Sequence, residues 1–211
     1  MRSKSETLFD ENFLDTLKSL IELHHSIYLR IPPQGIFFES LVEQAFKRSG
    51  WPADQVVLSA TNTPSHDLSV GDARLSLKTE TGAGTRADRI SITKLCTTEK
   101  EPWDSPTLIS HAMDHLSRYD HILMLRAVWR SDSIHYQLIE IPIDTLKFLG
   151  RAEVLPVGKR KGRKSMAADI YSEGEKLFRV HFDGADGKCQ IHRLPLSQCR
   201  LLLEWDQPVS H

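Results

Sequence analysis

An acid and a lysine lie within a short stretch of the chain that the sequence predicts to be a β-hairpin. Asp67 precedes the run LSV, and a Gly-Asp pair separates that run from ARLSLKTE, a spacing typical of a tight hairpin turn. Because strand side chains alternate between two faces, Ser76, Lys78 and Glu80 share one face. Asp67 lies opposite this face across the predicted turn, so two acids and a lysine are expected to meet at the open end of the hairpin.

This combination of side chains suits the hydrolysis of a phosphodiester bond. Carboxylates hold a hard divalent cation such as Mg²⁺, which polarises a phosphate and activates water. A lysine adds a compact positive charge that orients the attacking water and offsets the charge on phosphorus. The hairpin therefore predicts Mg²⁺ as cofactor, with Mn²⁺ expected to substitute for it.

At these residues the sequence resembles the PD-(D/E)XK nuclease superfamily and, within it, the type II restriction endonucleases. Asp67 matches the first acid of the motif, and Ser76-Leu77-Lys78 matches the (D/E)XK element, with residues 68–75 between the two parts. The segment GIFFESLVEQAFKRSGW resembles the first core helix, whose acid is Glu39 here, and HILMLRAVW resembles the next core strand. The resemblance covers residues 35–142.

The resemblance implies an α/β fold with a central mixed β-sheet flanked by helices, as in the restriction endonuclease core. It implies Mg²⁺-dependent cleavage of double-stranded DNA at a specific site, which leaves 5′-phosphate and 3′-hydroxyl ends. Asp67 and the Leu77 carbonyl would hold the metal, and Lys78 would position the attacking water. A homodimer is expected, because two-fold symmetry matches a palindromic site.

The middle acid of the family motif is replaced here by Ser76, so another carboxylate must complete the metal site. Glu80 lies one same-face step beyond Lys78, and Glu39 lies on the predicted helix, so both are candidates. Glu43 shares the helix face of Glu39 but also fits a solvated acidic surface. Two alternatives follow: a structure-specific repair or recombination nuclease, or a DNA-binding module whose catalytic centre has decayed.

The elements that would position these residues can be predicted from hydrophobic periodicity. Apolar spacing predicts helices over 6–29, 36–50 and 106–119, the last opening on a proline with Ser105 as its cap. β-rich runs predict strands at 55–60, 121–129 and 134–142, a final hairpin around DGADGK, and a short helix or strand at LSQCRLLLEW. We expect residues 1–150 to form the helical N-terminus and nuclease core. Residues 151–211 are expected to form a C-terminal lobe for DNA recognition or dimerisation, packed with the core into one compact domain.

Basic residues outside the hairpin are candidates for DNA contacts. Arg86 and Arg89 follow the glycine-containing loop GAGTR and are predicted to contact phosphates or bases. Residues 151–165 are predicted to be an exposed loop, in which five basic side chains are DNA-binding candidates: Lys159, Arg160, Lys161, Arg163 and Lys164. The other interpretation of such a run is a solvated loop, as for most blocks of like charge.

Composition limits the remaining classes of function. With 27 basic and 28 acidic residues among 211, the net charge of -1 argues against a protein that coats nucleic acid non-specifically. Three scattered cysteines do not form a disulfide framework. The apolar runs are shorter than the ~18 residues of a membrane span, and a cytoplasmic protein is expected.

The helical pair His111 and His115 lacks a nearby third zinc ligand, and a polar helix face is the favoured interpretation. Near-neutral charge also fits a partner-binding protein, but that class leaves Asp67 and SLKTE unexplained.

Overall fold

The computed structural model describes residues 8–59, 66–98, 102–159 and 162–209. The predicted α/β class is confirmed: a mixed sheet of six strands and an antiparallel sheet of five are accompanied by helices. The helices are α1 (Glu11–Ile27), α2 (Ile36–Arg48), α3 (Ser105–Leu116) and α4 (Ile143–Lys147). The strands are β1 (Val56–Leu58), β2 (Leu68–Val70), β3 (Ala73–Glu80), β4 (Arg89–Thr97), β5 (His121–Trp129), β6 (Ser133–Ile141), β7 (Leu155–Val157), β8 (Ser165–Ser172), β9 (Glu175–Asp183), β10 (Lys188–Pro195) and β11 (Arg200–Pro208).

The chain divides into two compact units, each built from separate segments. Unit 1 comprises Met1–Thr85, Tyr119–Ile141 and Arg200–His211, and unit 2 comprises Arg86–Arg118 and Pro142–Cys199. This division differs from the predicted boundary at residue 150. The reason is strand pairing across long stretches of sequence, because β11 returns to pair with β6 and β10 pairs with β4.

The six-stranded sheet of unit 1 contains the predicted hairpin. Its strand order is β1-β2-β3-β5-β6-β11, in which β3 and β5 are parallel and the other neighbours are antiparallel. Leu68 pairs with Leu75 and Val70 with Ala73 across the turn. Gly71 adopts a φ of 55°, a left-handed conformation that glycine accepts without steric cost. The predicted hairpin is confirmed.

The core of unit 1 joins α1 and α2 to apolar side chains of the mixed sheet. Helix α1 begins at an Asp10 cap, whose Oδ1 accepts a hydrogen bond from the Phe13 amide at 2.8 Å, and both helices bury an apolar stripe. Each fully buried large apolar side chain contributes about 1.5–3 kcal/mol. The central members of this core are Phe13, Leu17, Ile21, Phe38, Val42, Phe46, Leu75, Leu77, Leu123 and Leu125.

Strand β11 closes one edge of this sheet and completes its core. Trp205 stacks on Tyr136 of β6 with ring centroids 5.2 Å apart. His25 of α1 lies 3.1 Å from the Tyr136 hydroxyl through Nδ1 and 2.8 Å from the Pro208 carbonyl oxygen through Nε2. The run LSQCRLLLEW, predicted as either a short helix or a strand, therefore ends in a strand that ties α1 to the sheet.

The five-stranded sheet of unit 2 is antiparallel throughout, with the order β4-β10-β9-β8-β7. Segment 89–97 forms β4, and β7 lies within the stretch that the sequence predicts as an exposed loop. The predicted cap of α3 is wrong: the helix begins at Ser105, and Asp104 caps it by accepting from the Thr107 amide at 3.0 Å. None of the helices in the described ranges combines the length and apolar character needed to cross a membrane.

Candidate active site

Asp67 forms the centre of a hydrogen-bond cluster at the mouth of the β2–β3 hairpin. Its amide donates to the Leu75 carbonyl at 2.8 Å, which fixes its backbone beside β3. Its Oδ2 atom accepts hydrogen bonds from the Leu77 amide at 2.6 Å, the Ser76 hydroxyl at 3.1 Å and the Lys78 ammonium at 3.2 Å. The hairpin thus brings Asp67, Ser76 and Lys78 together, as the strand alternation predicts.

Lys78 is held between two oxygen atoms of the hairpin. Its Nζ lies 3.2 Å from Asp67 Oδ2 and also 3.2 Å from the Leu77 carbonyl oxygen. The Lys78 and Asp67 side chains retain 19% and 29% of their exposure, so solvent and a ligand can reach them. These two oxygens are the ones that the resemblance assigns to a metal ion, and here they hold a cationic ammonium group.

Glu39 brings a second carboxylate to this cluster from the first turn of α2. Partial burial raises the pKa of Glu39, and the nearby negative charge of Asp67 raises it further, while Lys78 lowers it. The Glu39 carboxyl group is therefore within electrostatic range of both hairpin residues. Helix α2 can place it there because Phe38, Val42 and Phe46 anchor the other side of the helix in the core.

Glu80 lies on β3 as predicted, but its carboxylate is engaged by a buried arginine. Arg126 of β5 is Glu80's direct partner across the parallel strand pair, and its Nε donates to Glu80 Oε2 at 2.8 Å. The Arg126 side chain has no exposed surface, whereas that of Glu80 keeps 12%. Arg126 Nη1 also donates to Gln137 Oε1 at 2.6 Å.

Sequence reasoning missed Arg126, although a signal was present. It is the one charged residue in the apolar strand segment HILMLRAVW, and a charged residue is rarely buried completely without a partner. Glu80 supplies that partner in the structure. Two glutamates are candidates for the metal site. Glu39 interacts electrostatically with the hairpin residues Asp67 and Lys78, whereas Glu80 is paired with Arg126.

The remaining acidic candidate on α2 is engaged along its own helix. Glu43 forms an ion pair with Lys47 at 2.7 Å along α2. Across the described ranges, no group of three or more histidine, cysteine, aspartate or glutamate side chains is arranged to hold a metal ion. The helical pair His111 and His115 is thus not part of such a group. Asp67 and the Leu77 carbonyl lie on either side of Lys78, and Glu39 interacts electrostatically with Asp67. These groups offer the hard oxygen atoms that Mg²⁺ prefers, and this ion keeps several waters and needs few protein ligands.

The basic residues predicted to contact DNA lie in unit 2. Arg86 and Arg89 are exposed, and Arg89 Nη2 lies 2.8 Å from Asp88 Oδ2. Lys159 is exposed as well, while Arg160 and Lys161 lie outside the described residues.

The end of the basic segment is fixed by a tryptophan. The Arg163 guanidinium lies 4.4 Å from the ring centroid of Trp103, and its Nε donates to the Gly184 carbonyl at 3.0 Å. The Trp103 indole donates to the Lys164 carbonyl at 2.7 Å. Arg163 and Lys164 are exposed but held in place, so this part of the segment has a defined conformation.

Comparison with known proteins identifies one family whose model matches almost the whole chain. The model of the SmaI family, described as type II site-specific deoxyribonuclease, matches residues 1–207. The type II restriction enzyme SmaI of Serratia marcescens is 28% identical over 206 residues, which cover 96% of this chain and 82% of that enzyme. No solved structure matches the chain. This chain is thus a member of the SmaI family of type II site-specific deoxyribonucleases.

Proposed function

We propose that this type II restriction endonuclease hydrolyses both strands of a DNA duplex in a Mg²⁺-dependent reaction, as PD-(D/E)XK nucleases do. Asp67, Lys78 and Glu39 form the proposed catalytic centre. The observation that carries the proposal is the convergence of the Leu77 amide, the Ser76 hydroxyl and the Lys78 ammonium on Asp67 Oδ2. A lysine and an acid held this way beside a second carboxylate match the needs of phosphodiester hydrolysis.

Asp67, Glu39 and the Leu77 carbonyl are the proposed metal ligands. All three offer hard oxygen atoms, the ligand type that Mg²⁺ prefers. When bound, the cation supplies positive charge that polarises the scissile phosphate. The fit is supported by Lys78, whose ammonium already lies beside Asp67 Oδ2 and the Leu77 carbonyl oxygen.

Ser76 stands where the family motif has its second acid. Its side chain is buried, and its hydroxyl donates to Asp67 Oδ2. We therefore assign Ser76 the task of orienting the Asp67 carboxylate. The negative charge that a second acid would bring is assigned to Glu39 instead.

Lys78 is assigned the positioning of the attacking water. Its Nζ can donate to the water and to a phosphate oxygen, and its charge offsets the negative charge that develops on phosphorus. Attack at phosphorus breaks the bond to the 3′ oxygen and leaves 5′-phosphate and 3′-hydroxyl ends. This outcome rests on the resemblance to the PD-(D/E)XK superfamily.

Incubation with a panel of phage DNAs tests the proposal directly. In the presence of Mg²⁺ we expect discrete fragments, and addition of EDTA should stop their formation. DNA ligase should reseal the fragments, because it requires 5′-phosphate and 3′-hydroxyl ends. A smear would favour a less specific nuclease. Intact DNA on every substrate, with DNA binding unchanged by Mg²⁺, would favour a decayed binding module.

The homodimer is proposed to form through an exposed apolar surface on unit 1. Within residues 23–37, Arg30 is the one lysine, arginine, aspartate or glutamate, and low charge is typical of interface cores. We name this surface the apolar stripe. Its members, each about half to two-thirds exposed, are Leu23, Ile27, Tyr28, Ile31, Ile36 and Phe37.

A second copy of this chain is the proposed partner of the apolar stripe. Cleavage of a duplex breaks one phosphodiester bond in each strand. The described part of each chain contains one proposed catalytic centre, formed around Asp67 and Lys78. Two copies related by two-fold symmetry supply both centres. A standard interface buries about 800 Å² on each partner, and six large apolar side chains provide the apolar middle of such an area.

The Ile27→Glu variant tests the apolar stripe. Ile27 is 64% exposed, and burial of a charge at its position in both copies should raise the dimer dissociation constant about a hundredfold or more. Sedimentation velocity over a range of concentrations measures this change. Leu155→Glu is the matched control, because Leu155 is 59% exposed and lies outside the stripe. Equal sedimentation of Ile27→Glu and wild type would contradict the assignment.

A further inference from the structure

Arg193 has an unusual backbone conformation within β10. Its φ is 62°, in the left-handed region that costs a residue other than glycine about 1–3 kcal/mol. The pairing of β10 with β4 is irregular here: Ile191 pairs with Ile92 and Leu194 with Ile90. Two residues of β10 therefore lie opposite one residue of β4, which is a β-bulge. Bulges redirect side chains and are frequent beside functional sites.

The redirected Arg193 lines a surface cavity with two other basic residues. The cavity has a volume of about 270 Å³ and is lined by Asp88, Arg89, Lys176, Arg193 and Pro195. Three of these five residues are cationic and one is anionic. Arg193 is exposed, so its guanidinium is accessible to a large ligand.

The sheet face around the cavity is also rich in basic groups. Along β9 and β10, buried residues alternate with partly exposed ones, and Arg179, His181 and His192 are on the partly exposed side. Burial lowers the pKa of His192, and His181, Arg179 and Arg193 lower it further through their positive charges. The electrostatic environment of His192 is thus dominated by cations.

Acidic groups balance only part of this charge. Asp169 lies 2.8 Å from Lys176 and 3.0 Å from Arg179, and Asp88 pairs with Arg89. Counting Arg89, Lys176, Arg179 and Arg193 against Asp88 and Asp169 leaves two positive charges with both histidines neutral. The face therefore favours an anion.

We propose that the Arg193 cavity binds backbone phosphates of duplex DNA, through Arg193 together with Arg89 and Lys176. The proposal rests on the DNA-cleaving function proposed above. It adds a DNA-contacting surface whose residues are distinct from the proposed catalytic residues. Charge complementarity identifies the partner, because a duplex presents a regular row of phosphates to a basic face. The bulge accounts for the unfavourable backbone conformation of Arg193, because it places this residue at the cavity.

The Arg193→Gly variant separates DNA binding from folding. Glycine adopts a φ of 62° readily, so we expect a Tm close to that of wild type. Loss of one phosphate contact should reduce the slope of log K against log salt concentration by about 0.9. Fluorescence anisotropy with a labelled random duplex, in EDTA and over a series of KCl concentrations, measures this slope without cleavage.

Two further variants serve as controls. Arg193→Lys keeps the charge and should retain the wild-type slope. Lys147→Ala removes a positive charge from α4, where Lys147 pairs with Asp144, and should leave the slope unchanged. An Arg193→Gly slope equal to that of wild type would overturn this proposal while leaving the proposed cleavage intact. If wild type itself binds no duplex and cleaves none, the proposed function fails together with the Arg193 site.

Discussion

Asp67→Ala and Lys78→Ala are each expected to reduce DNA cleavage by about a hundred- to a thousandfold or more, while DNA binding persists. Removal of one preorganised charged or hydrogen-bonding group from a catalytic centre has effects of this size. Lys78 contributes the ammonium that contacts Asp67 Oδ2, and Asp67 supplies the oxygen on which the cluster converges. Single-turnover cleavage with enzyme in excess measures the rate, and anisotropy in EDTA measures binding.

Matched variants distinguish a catalytic effect from a general one. Lys18→Ala removes a lysine from α1, where Lys18 lies 3.9 Å from Glu22, and should cleave as wild type does. Lys78→Arg should remain impaired, because a planar guanidinium does not replace a compact ammonium. Asp67→Ala should also lower stability by about 1–3 kcal/mol, since the buried Leu77 amide loses its acceptor. Cleavage near the wild-type rate by either alanine variant would show that the catalytic assignment is wrong.

Glu39→Gln and Glu80→Gln should have opposite consequences. Glu39→Gln removes a proposed metal ligand, so we expect a cleavage rate at least about a hundredfold lower and a higher Mg²⁺ requirement. Its stability should be maintained, because burial and Asp67 already disfavour the charged form of Glu39. Glu80→Gln leaves the buried Arg126 guanidinium without its carboxylate, and loss of one partner of a buried ion pair costs about 3–5 kcal/mol.

Urea denaturation and Mg²⁺-dependent cleavage of the two variants provide the comparison. The folded fraction of Glu80→Gln should still cleave DNA at low temperature. The reverse pattern, in which Glu80→Gln is stable but inactive and Glu39→Gln is active, would identify Glu80 as the metal ligand. The two substitutions are isosteric and remove the same charge, so each serves as the control for the other.

The sequence was most informative where structure depends on neighbouring residues. The Gly71-Asp72 turn and the alternation along ARLSLKTE specify the hairpin, and the hairpin specifies the contact of Asp67 with Ser76 and Lys78. These positions lie within about a dozen residues, so local turn chemistry and strand pleat determine their geometry.

The choice between Glu39 and Glu80 depends on contacts that a local pattern does not contain. Arg126 is 46 residues from Glu80, and the parallel pairing of β3 with β5 makes them neighbours. Glu39 approaches the hairpin only because α2 packs on the core of unit 1. Both relations arise from tertiary packing, which propensity and spacing do not encode.

The sequence predicts one hairpin of the five-stranded sheet, around DGADGK, which β9 and β10 form, but it does not predict the whole sheet, for a similar reason. Its strand β4 pairs with β10, which is about ninety residues further along the chain, and no local pattern contains that pairing. The cap of α3 was misplaced by one residue because Asp104 and Ser105 are both good capping residues. Hydrogen bonding from the Thr107 amide decides in favour of Asp104.

The return of β11 to the edge of the mixed sheet has a consequence during protein synthesis. While the ribosome is still adding residues 142–199, α1 and β6 have been synthesised, but the strand that carries Trp205 has not. Domains fold as units as the chain emerges, so unit 1 keeps an open sheet edge at β6, and its Tyr136 ring lacks the Trp205 ring that stacks on it, until β11 is available. Completion of the mixed sheet in unit 1 is thereby delayed until β11 has been synthesised.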